Sequence, residues 1–213
     1  MENRNLAGVL YGAGGHAKVV LSATRLAPVP VLYVYADDPG TAKEFASKAA
    51  LTALPEAQTH QENLRFHLAI GDNAVRRNVA SKRPHLKWFQ ISHPSAIVAE
   101  DAEIGDGTFI GAGVIVQPGA KIGRHVIVNT GAIVEHDCRV GDFCHLAPGS
   151  VLSGSVTLGD GVLIGAGAAV MKGCSVEAWT DIGVGAAVVR DLSGFETAKG
   201  VPARGHKRKN TIP

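Results

Sequence analysis

A six-residue repeat in the second half of the chain constrains the fold more than any other feature of the sequence. Stepping by six from Val98 to Val188 passes through sixteen positions, and every one of them is Val, Ile or Leu. The fourth residue after each of these is usually small. Hexapeptide periodicity is typical of a parallel β-helix, in which three strand-and-turn units close one coil that rises by about 4.8 Å. The repeat therefore predicts a β-helix of about five coils with its aliphatic and small residues pointing inward.

Glycine and cysteine also occupy regular places in the repeat. Gly often follows the aliphatic residue directly, as at Gly105 and Gly123, and we expect it to supply the backbone freedom that the corners require. All three cysteines, Cys138, Cys144 and Cys174, fall at the small inward position. Buried packing is therefore their predicted role, in preference to redox chemistry or catalysis.

The first part of the chain has a different pattern, in which short apolar runs alternate with helical stretches. Strands are predicted at Ala7–Tyr11, Val31–Tyr35, 64–70 and 87–91, and helices at 17–26, 41–50 and Asn73–Lys82. Strands that alternate with helices indicate βαβ units and a parallel sheet. The predicted fold class is thus an α/β Rossmann-like domain over residues 1–91, followed by a parallel β-helix over residues 92–213.

Composition excludes several classes of protein. The 21 Lys and Arg nearly balance the 19 Asp and Glu, which gives no case for nucleic-acid binding, although residues 199–209 are basic. No apolar run approaches the roughly 20 residues of a membrane helix, and the first six residues lack the pattern of a signal peptide. An odd number of cysteines implies no disulfide framework. We therefore expect a cytoplasmic protein without a membrane span.

One hexad departs from the repeat by carrying three ionisable residues, in Val134-Glu135-His136-Asp137-Cys138. A histidine beside a carboxylate suits a general base, because imidazole titrates near neutral pH and the carboxylate can fix its tautomer. His145 lies nine residues further on, where it need not share a face with His136 but can border the same groove. The alternative is a solvated turn, since His-Asp pairs are common on surfaces.

A metal site is a competing interpretation of the histidines. Ligands on a β-helix should converge by stacking in successive coils or by a short spacing on one strand. The gaps between His93, His125, His136 and His145 are 32, 11 and 9 residues, which fit neither arrangement, and CxxC pairs are absent. The spacing therefore disfavours the three-histidine zinc site of a hexapeptide-repeat carbonic anhydrase, and we expect no metal.

The stretch Gly12-Ala13-Gly14-Gly15-His16-Ala17 follows the first predicted strand and opens the first predicted helix. It matches G-x-G-x-x-A, in which glycines allow close approach of the backbone and a helix N-terminus favours phosphate. Asp37 and Asp38 close the second strand, where a dinucleotide-binding domain places its ribose-reading acid. The domain is too short for two mononucleotide halves, so a single nucleotide diphosphate fits better than NAD. A tight strand-to-helix turn with a solvated Asp pair is the alternative.

Together these motifs resemble the sialic acid O-acetyltransferase family of hexapeptide-repeat acyltransferases, and within it the bacterial N-acetyltransferases that act on UDP-4-amino-sugars. The resemblance covers nearly the whole chain. It rests on the glycine turn, the Asp37-Asp38 pair, residues 69–73 with Arg76, residues 129–138, residues 141–145 and the closing residues 200–204. It implies that the β-helix is left-handed, that the protein is a homotrimer, and that acetyl-CoA is the co-substrate.

The resemblance also implies roles for individual residues. His136 is the expected catalytic base and Asp137 its support, while His145 and the backbone around Gly154, Ala166 and Val184 bind acetyl-CoA. The residues expected to hold the nucleotide-linked amino-sugar are Gly14, Gly15, His16, Asp37, Asp38, Gly71, Ala74 and Asn129. The expected chemistry is direct acetyl transfer, in which a backbone N–H near Gly154 stabilises the oxyanion.

Two departures from the family and two other functions remain open. Asp137 stands where the sugar N-acetyltransferases carry Glu, so its reach is one methylene shorter, and the chain continues past Arg204 into a basic extension.

The acceptor is either an amine or a hydroxyl, such as that of sialic acid. A non-catalytic protein that binds a nucleotide-sugar is a further alternative, against which the retention of His136, Asp137 and His145 argues. We expect active sites between subunits, because a single β-helix has flat faces and no deep cavity.

Overall fold

A computed structural model describes residues 6–24, 29–49 and 51–207, and it divides into an α/β domain and a β-helix. The elements of the α/β domain are β1 (Ala7–Tyr11), α1 (Gly15–Ala23), β2 (Val31–Tyr35), α2 (Pro39–Ala49), β3 (Thr52–Ala53), a 3-10 turn (Glu56–Gln58), β4 (Leu64–Leu68) and α3 (Asn73–Lys82). The four strands form a parallel sheet in the order β3-β2-β1-β4. The chain adds β2 on one side of β1 and β4 on the other, and all of these strands are parallel. The glycine turn after β1, Asp37 after β2 and Gly71 after β4 therefore lie at the same carboxyl edge of the sheet.

The predicted elements of this domain are largely confirmed. Strands β1 and β2 and helix α3 have the predicted bounds, and the predicted ends of the other two helices, at Leu26 and Ala50, lie outside the described residues. The strand predicted at 87–91 is wrong in part. Trp88 makes one isolated bridge to Phe66, and Ile91 belongs to strand β5 (Ile91–Ser92), which pairs with the β-helix. Strand β5 thus spans the predicted boundary between the domains.

The β-helix has three faces, each a sheet of parallel two-residue strands, and one of them ends in two longer strands. The docking face contains β5, β8 (Phe109–Ile110), β11 (Ile127–Val128), β14 (His145–Leu146), β17 (Leu163–Ile164), β20 (Asp181–Ile182), β22 (Glu196–Lys199) and the antiparallel β23 (Arg204–Lys207). The apolar face contains β6 (Ile97–Val98), β9 (Ile115–Val116), β12 (Ile133–Val134), β15 (Val151–Leu152), β18 (Ala169–Val170) and β21 (Ala187–Val188). The polar face contains β7 (Glu103–Ile104), β10 (Lys121–Ile122), β13 (Arg139–Val140), β16 (Thr157–Leu158) and β19 (Ser175–Val176).

The sixteen aliphatic residues of the repeat form the core of this left-handed β-helix. Each is the second residue of its strand and pairs with its equivalent 18 residues away, as Val134 does with Val116 and Leu152. Fourteen are buried, and the less buried Val98 and Ile104 lie in the first coil. The three cysteines are also buried and free, as predicted.

The glycine after the aliphatic residue has a different role from the one predicted. Its backbone is not left-handed; instead, a methyl group on Gly105 would lie 2.5 Å from the backbone of Gly123 in the next coil. The left-handed residue of each corner comes two positions later, as at Gly107, where φ is 72°. Close stacking of the coils, rather than conformational freedom, is thus what requires glycine at the first position.

The α/β domain packs on the docking face. Phe109 and Ile127 point outward from that face, and both are buried in one apolar cluster with Leu10 and Val20 of the α/β domain. The outward residues Glu103, Lys121 and Arg139 make the polar face hydrophilic. Ile97, Ile115 and Ile133 make the apolar face hydrophobic, and Ile97 is 66% exposed.

Candidate active site

The corner between the apolar and polar faces carries the residues expected to act on protons. Asp137 adopts the left-handed conformation there, with φ of 61°, and its Oδ2 lies 2.8 Å from Nδ1 of the adjacent His136. Because a carboxylate only accepts hydrogen bonds, Nδ1 carries a proton, and in the neutral imidazole the lone pair is then on Nε2. The structure therefore brings His136 and Asp137 together, with His136 about half exposed.

Gly154 lies at the same corner one coil further along, where Ser155 N–H donates to His136 O at 2.9 Å. A methyl group at Gly154 would lie 2.5 Å from His136 Nε2, so the imidazole packs against this glycine. Within the described part of the chain, the Gly154 N–H donates no hydrogen bond. The lone pair of Nε2 thus lies beside a residue that keeps a free backbone donor.

Of the predicted sugar-binding residues, His16, Gly71 and Asn129 meet where the α/β domain packs on the docking face. Gly14 is the N-cap of α1 without a side-chain cap, and a methyl group on Gly14 or Gly15 would meet nothing within 4 Å. This turn therefore leaves open space beside the N-terminus of α1. His16 packs edge-on against Phe109, with ring centroids 5.5 Å apart. Burial, reinforced by nearby His145, His67 and Arg76, lowers the pKa of His16 to about 3.

His145 lies at this junction as well, with its ring centroid 6.2 Å from that of His16. Its Nδ1 is 3.2 Å from Gly71 O and its Nε2 is 3.2 Å from Asn129 Nδ2. Since a carbonyl only accepts, Nδ1 carries the proton and Nε2 accepts from the Asn129 amide. Burial, with a smaller effect of Arg76, lowers the pKa of His145 to about 4, so its neutral form makes these bonds.

The two predicted aspartates already have partners. Asp37 Oδ1 accepts from Tyr11 Oη at 2.5 Å and from Arg83 Nη2 at 2.9 Å. Asp38 accepts from the backbone and hydroxyl of Thr41, which caps the start of α2 and lowers the pKa of the Asp38 carboxyl. Both lie at the carboxyl edge of the sheet, but Asp38 acts locally on its helix.

The remaining predicted residues fall on two elements. Ala74 lies in the first turn of α3, whose N-cap Asp72 accepts from Val75 N–H at 2.8 Å. Ala166 and Val184 stack at the corner between the docking and apolar faces, where Gly185 N–H donates to Ala166 O at 2.9 Å. Val184 is 80% exposed there.

Within one chain, His136 and His145 do not border one groove, contrary to the sequence-based interpretation. His145 lies in strand β14 of the docking face, whereas His136 occupies the corner between the other two faces. In a three-sided coil that corner is opposite the docking face. The predicted base and the predicted sugar pocket of one chain therefore lie on opposite sides of the β-helix.

The residue type at the left-handed corner position distinguishes the three corners of the β-helix, a signal that the sequence-based prediction did not use. The left-handed position of each corner holds Gly throughout the docking–apolar corner, from Gly113 to Gly185. The exceptions among the described residues fall at the other two corners: His125, Asp137, Phe143, Ser155, Trp179 and Phe195. A side chain at positive φ is costly, so these departures mark corners where a side chain is needed. The buried Arg76 is among the residues that carry the resemblance, but no role was predicted for it from the sequence.

Two further searches of the described residues bear on function. Residues 6–24, 29–49 and 51–207 contain no group of three or more His, Cys, Asp or Glu side chains that could hold a metal ion. Among the helices in those ranges, none is long and apolar enough to cross a membrane.

Comparison with known families supports both parts of the fold. Residues 9–83 match the PglD N-terminal domain, and residues 101–134 and 119–154 match the bacterial transferase hexapeptide model of six repeats. The curated UDP-N-acetylbacillosamine N-acetyltransferase of Bacillus subtilis (strain 168) is 40% identical in an alignment of 113 residues that covers 47% of this chain. The match spans about half (49%) of the length of that relative.

Two solved structures match nearly the whole chain. PerB from Caulobacter crescentus, in complex with CoA and GDP-perosamine, is 37% identical, with a TM-score of 0.84 over 94% of this chain and 97% of that one. The acetyltransferase domain of PglB from Neisseria gonorrhoeae FA1090, in complex with acetyl coenzyme A, is 29% identical, with a TM-score of 0.82 over 95% of this chain and 100% of that one. None of these relatives carries the sialic acid name, so that part of the expected resemblance stays a prediction.

Proposed function

The chain belongs to the family of acetyltransferases that join a PglD N-terminal domain to bacterial transferase hexapeptide repeats, and we propose that it acetylates the amino group of a nucleotide-linked sugar with acetyl-CoA. The observation that carries the proposal is the His136–Asp137 pair, whose free Nε2 faces Gly154. Relatives named as amino-sugar N-acetyltransferases, one of them in complex with CoA and a GDP-linked sugar, support the acceptor class.

His136 is the proposed general base. Its Nε2 takes a proton from the sugar amine as the amine nitrogen attacks the thioester carbonyl, and Asp137 stabilises the imidazolium that forms. A C–N bond forms, the C–S bond then breaks, and CoA leaves as a thiolate that takes up a proton. The free Gly154 N–H is the proposed donor to the oxyanion, a contact whose loss costs about 3 kcal/mol.

A cysteine nucleophile does not fit the site. Cys138 and Cys144 point into the β-helix core and are fully buried. Burial raises the pKa of the Cys144 thiol to about 12, so it is not a thiolate at neutral pH. Direct transfer to the sugar is therefore the mechanism that these residues support.

The proposed substrate sites use two surfaces. The nucleotide-linked sugar occupies the open turn at Gly14 and Gly15 beside His16, Gly71 and Asn129, where the N-terminus of α1 favours the diphosphate. We assign His145 to this sugar site, and not to acetyl-CoA as the resemblance implied, because it contacts Gly71 and Asn129. Acetyl-CoA lies along the docking–apolar corner at Ala166 and Val184 of one copy. Gly154 and His136, which lie at the apolar–polar corner of their own chain, meet its thioester end from a neighbouring copy.

A homotrimer is the proposed assembly. Exposed apolar surface marks an interaction site, and the apolar face carries an outward row of the exposed Ile97 and the half-buried Ile115, Ile133 and Val151. The position of His136 gives a second reason, because the corner that holds it is opposite the sugar pocket of its own chain. A neighbouring copy must therefore supply one half of each site, and closed threefold symmetry allows three equivalent sites.

The decisive experiment is a CoA-release assay across a panel of acceptors. UDP-linked and GDP-linked 4-amino-sugars should release CoA, and release should depend on His136. Free sialic acid tests the hydroxyl alternative, and binding of nucleotide-sugars without any release would favour the non-catalytic one. The expected site of action is the cytoplasm, which stays a prediction from the sequence.

A further inference from the structure

Arg76 is a buried cation at the junction between the two domains, and the proposed chemistry gives it no role. Its residue is 1% exposed. Its guanidinium makes six hydrogen bonds, to Ile70 O (2.9 Å), Gly71 O (3.2 Å), Asn73 Oδ1 (2.9 Å), His125 O (2.8 Å), Phe143 O (2.8 Å) and Cys144 O (3.1 Å). This use of every donor of the guanidinium indicates a built contact rather than an incidental one.

The six acceptors divide evenly between the two domains. Three belong to the loop of residues 70–73, which joins β4 to α3, and three belong to coils of the β-helix. Asn73 adds a second tether, because its Nδ2 donates to Gly161 O at 3.1 Å and lies 3.3 Å from Val162 O. Arg76 and Asn73 thus bind the 70–73 loop to the corner of the β-helix between the polar and docking faces.

The tethered loop contains a residue of the proposed sugar pocket. Gly71 O accepts from Arg76 Nη1 and from His145 Nδ1, each at 3.2 Å. The guanidinium therefore holds the carbonyl that orients the His145 imidazole, and His145 in turn accepts from Asn129. A substitution of Arg76 therefore affects Gly71, His145 and Asn129 through these contacts. Arg76 itself does not lie in the open turn at Gly14 and Gly15.

The charge of Arg76 makes this arrangement costly. All six of its acceptors are neutral oxygens, and a buried charge without an ionic partner pays a desolvation penalty. Burial lowers the pKa of Arg76 to about 10, so the group stays protonated at neutral pH. A fixed cation beside a pocket of neutral histidines complements a ligand that carries a diphosphate.

We propose that Arg76 is a positioning residue, which holds the 70–73 loop and His145 against the β-helix so that the nucleotide-sugar pocket keeps its shape and its positive potential. The inference rests on the proposed function and names how that site is held. A lysine cannot replace it, because three donors on a point charge do not match six acceptors in two domains.

Arg76→Lys tests the proposal, with Arg77→Lys as the matched control. Arg77 is the next residue, is exposed, and contacts the ring of Trp179 by a cation–π interaction at 5.2 Å. Arg76→Lys should lower kcat/KM for the nucleotide-sugar about ten- to a hundredfold, mainly through KM, since a small misplacement of pocket groups is costly. The KM for acetyl-CoA should stay within about twofold of wild type, and Arg77→Lys should match wild type in both.

The outcomes separate this proposal from its alternatives. A purely structural role would lower the melting temperature of Arg76→Lys while leaving KM unchanged for the fraction that remains active. An unchanged KM for the nucleotide-sugar, or an equal rise in both KM values, overturns the proposal. If Arg76→Lys does not fold, Asn73→Ala decides by the same KM comparison, because it removes the second tether and only one of the six acceptors of Arg76. Wild-type protein that acetylates no nucleotide-sugar refutes the proposed function instead.

Discussion

Gly154→Ala is the substitution by which the structure can be tested most directly, because it adds one methyl group beside the proposed base. That methyl would lie 2.5 Å from His136 Nε2 and 2.7 Å from Cε1, where ordinary contacts begin at 3.4 Å. The backbone of Gly154 is not left-handed, so alanine is compatible with it. The imidazole must therefore move by about 0.9 Å or more, against its 2.8 Å bond to Asp137.

The size of the effect follows from this displacement. A misplacement of about 1 Å costs about a hundredfold in rate, and complete loss of a general base costs about 10²- to 10⁴-fold. We expect kcat of Gly154→Ala to fall about a hundredfold, which corresponds to about 2.7 kcal/mol in the activation barrier. Stability should change little, because His136 is half exposed and can swing toward solvent.

The assay measures kcat by CoA release with the true acceptor. The effect of Gly154→Ala on kcat is measured both in the wild-type protein and in the His136→Ala variant. In a His136→Ala background the added methyl has no imidazole to displace, so it should have almost no further effect. Gly40→Ala is the control, since the nearest atom to its new methyl is 3.5 Å away.

Two results would refute this reasoning. Near-wild-type turnover of Gly154→Ala would show that the imidazole does not need the position seen here. An undiminished loss in the His136→Ala background would show that the methyl acts on the Gly154 N–H or on acetyl-CoA rather than on the base.

The remaining predictions concern the base, the sugar site, pH and assembly. His136→Ala should lower kcat by about 10²- to 10⁴-fold with little change in acetyl-CoA affinity, and Asp137→Asn should lose less; steady-state kinetics that show normal turnover would remove the assignment. Asp37→Ala should raise KM for the nucleotide-sugar and leave KM for acetyl-CoA unchanged, and calorimetry that finds full sugar-nucleotide affinity would contradict this. Burial lowers the pKa of His67 to about 4 in the folded protein, whereas the pKa of this imidazole in the unfolded chain is about 6.5. As the pH falls, the imidazole of the unfolded chain is therefore protonated before that of the folded protein. The free energy of unfolding should therefore drop between pH 6.5 and pH 4, by about 1.4 kcal/mol per pH unit for this group, and urea titrations that show a flat profile would disprove it. Light scattering should give about three times 22.1 kDa, Ile133→Lys should reduce that mass and the activity together, and a fully active monomer would exclude shared sites.

Features that depend on residues close in sequence could be predicted from the sequence. The period of six defines the strands and the inward residues of the β-helix, because each coil repeats the same local geometry and stacks on the last. Helix α3 and strands β1 and β2 were predicted with their bounds, since apolar runs and turn residues mark them locally. The His136–Asp137 contact was also predictable, because the two residues are adjacent.

Features that depend on which surfaces meet were decided only by the tertiary structure. The spacing of His136 and His145 does not indicate that the two residues lie on opposite sides of the β-helix. His145 faces the α/β domain only because that domain packs on the face that contains β14. The glycine after each aliphatic residue looks like a turn residue in sequence, yet contact with the next coil is what requires it. Arg76 joins the 70–73 loop to backbone carbonyls up to 68 residues away, and no local pattern encodes such acceptors because every residue has a carbonyl.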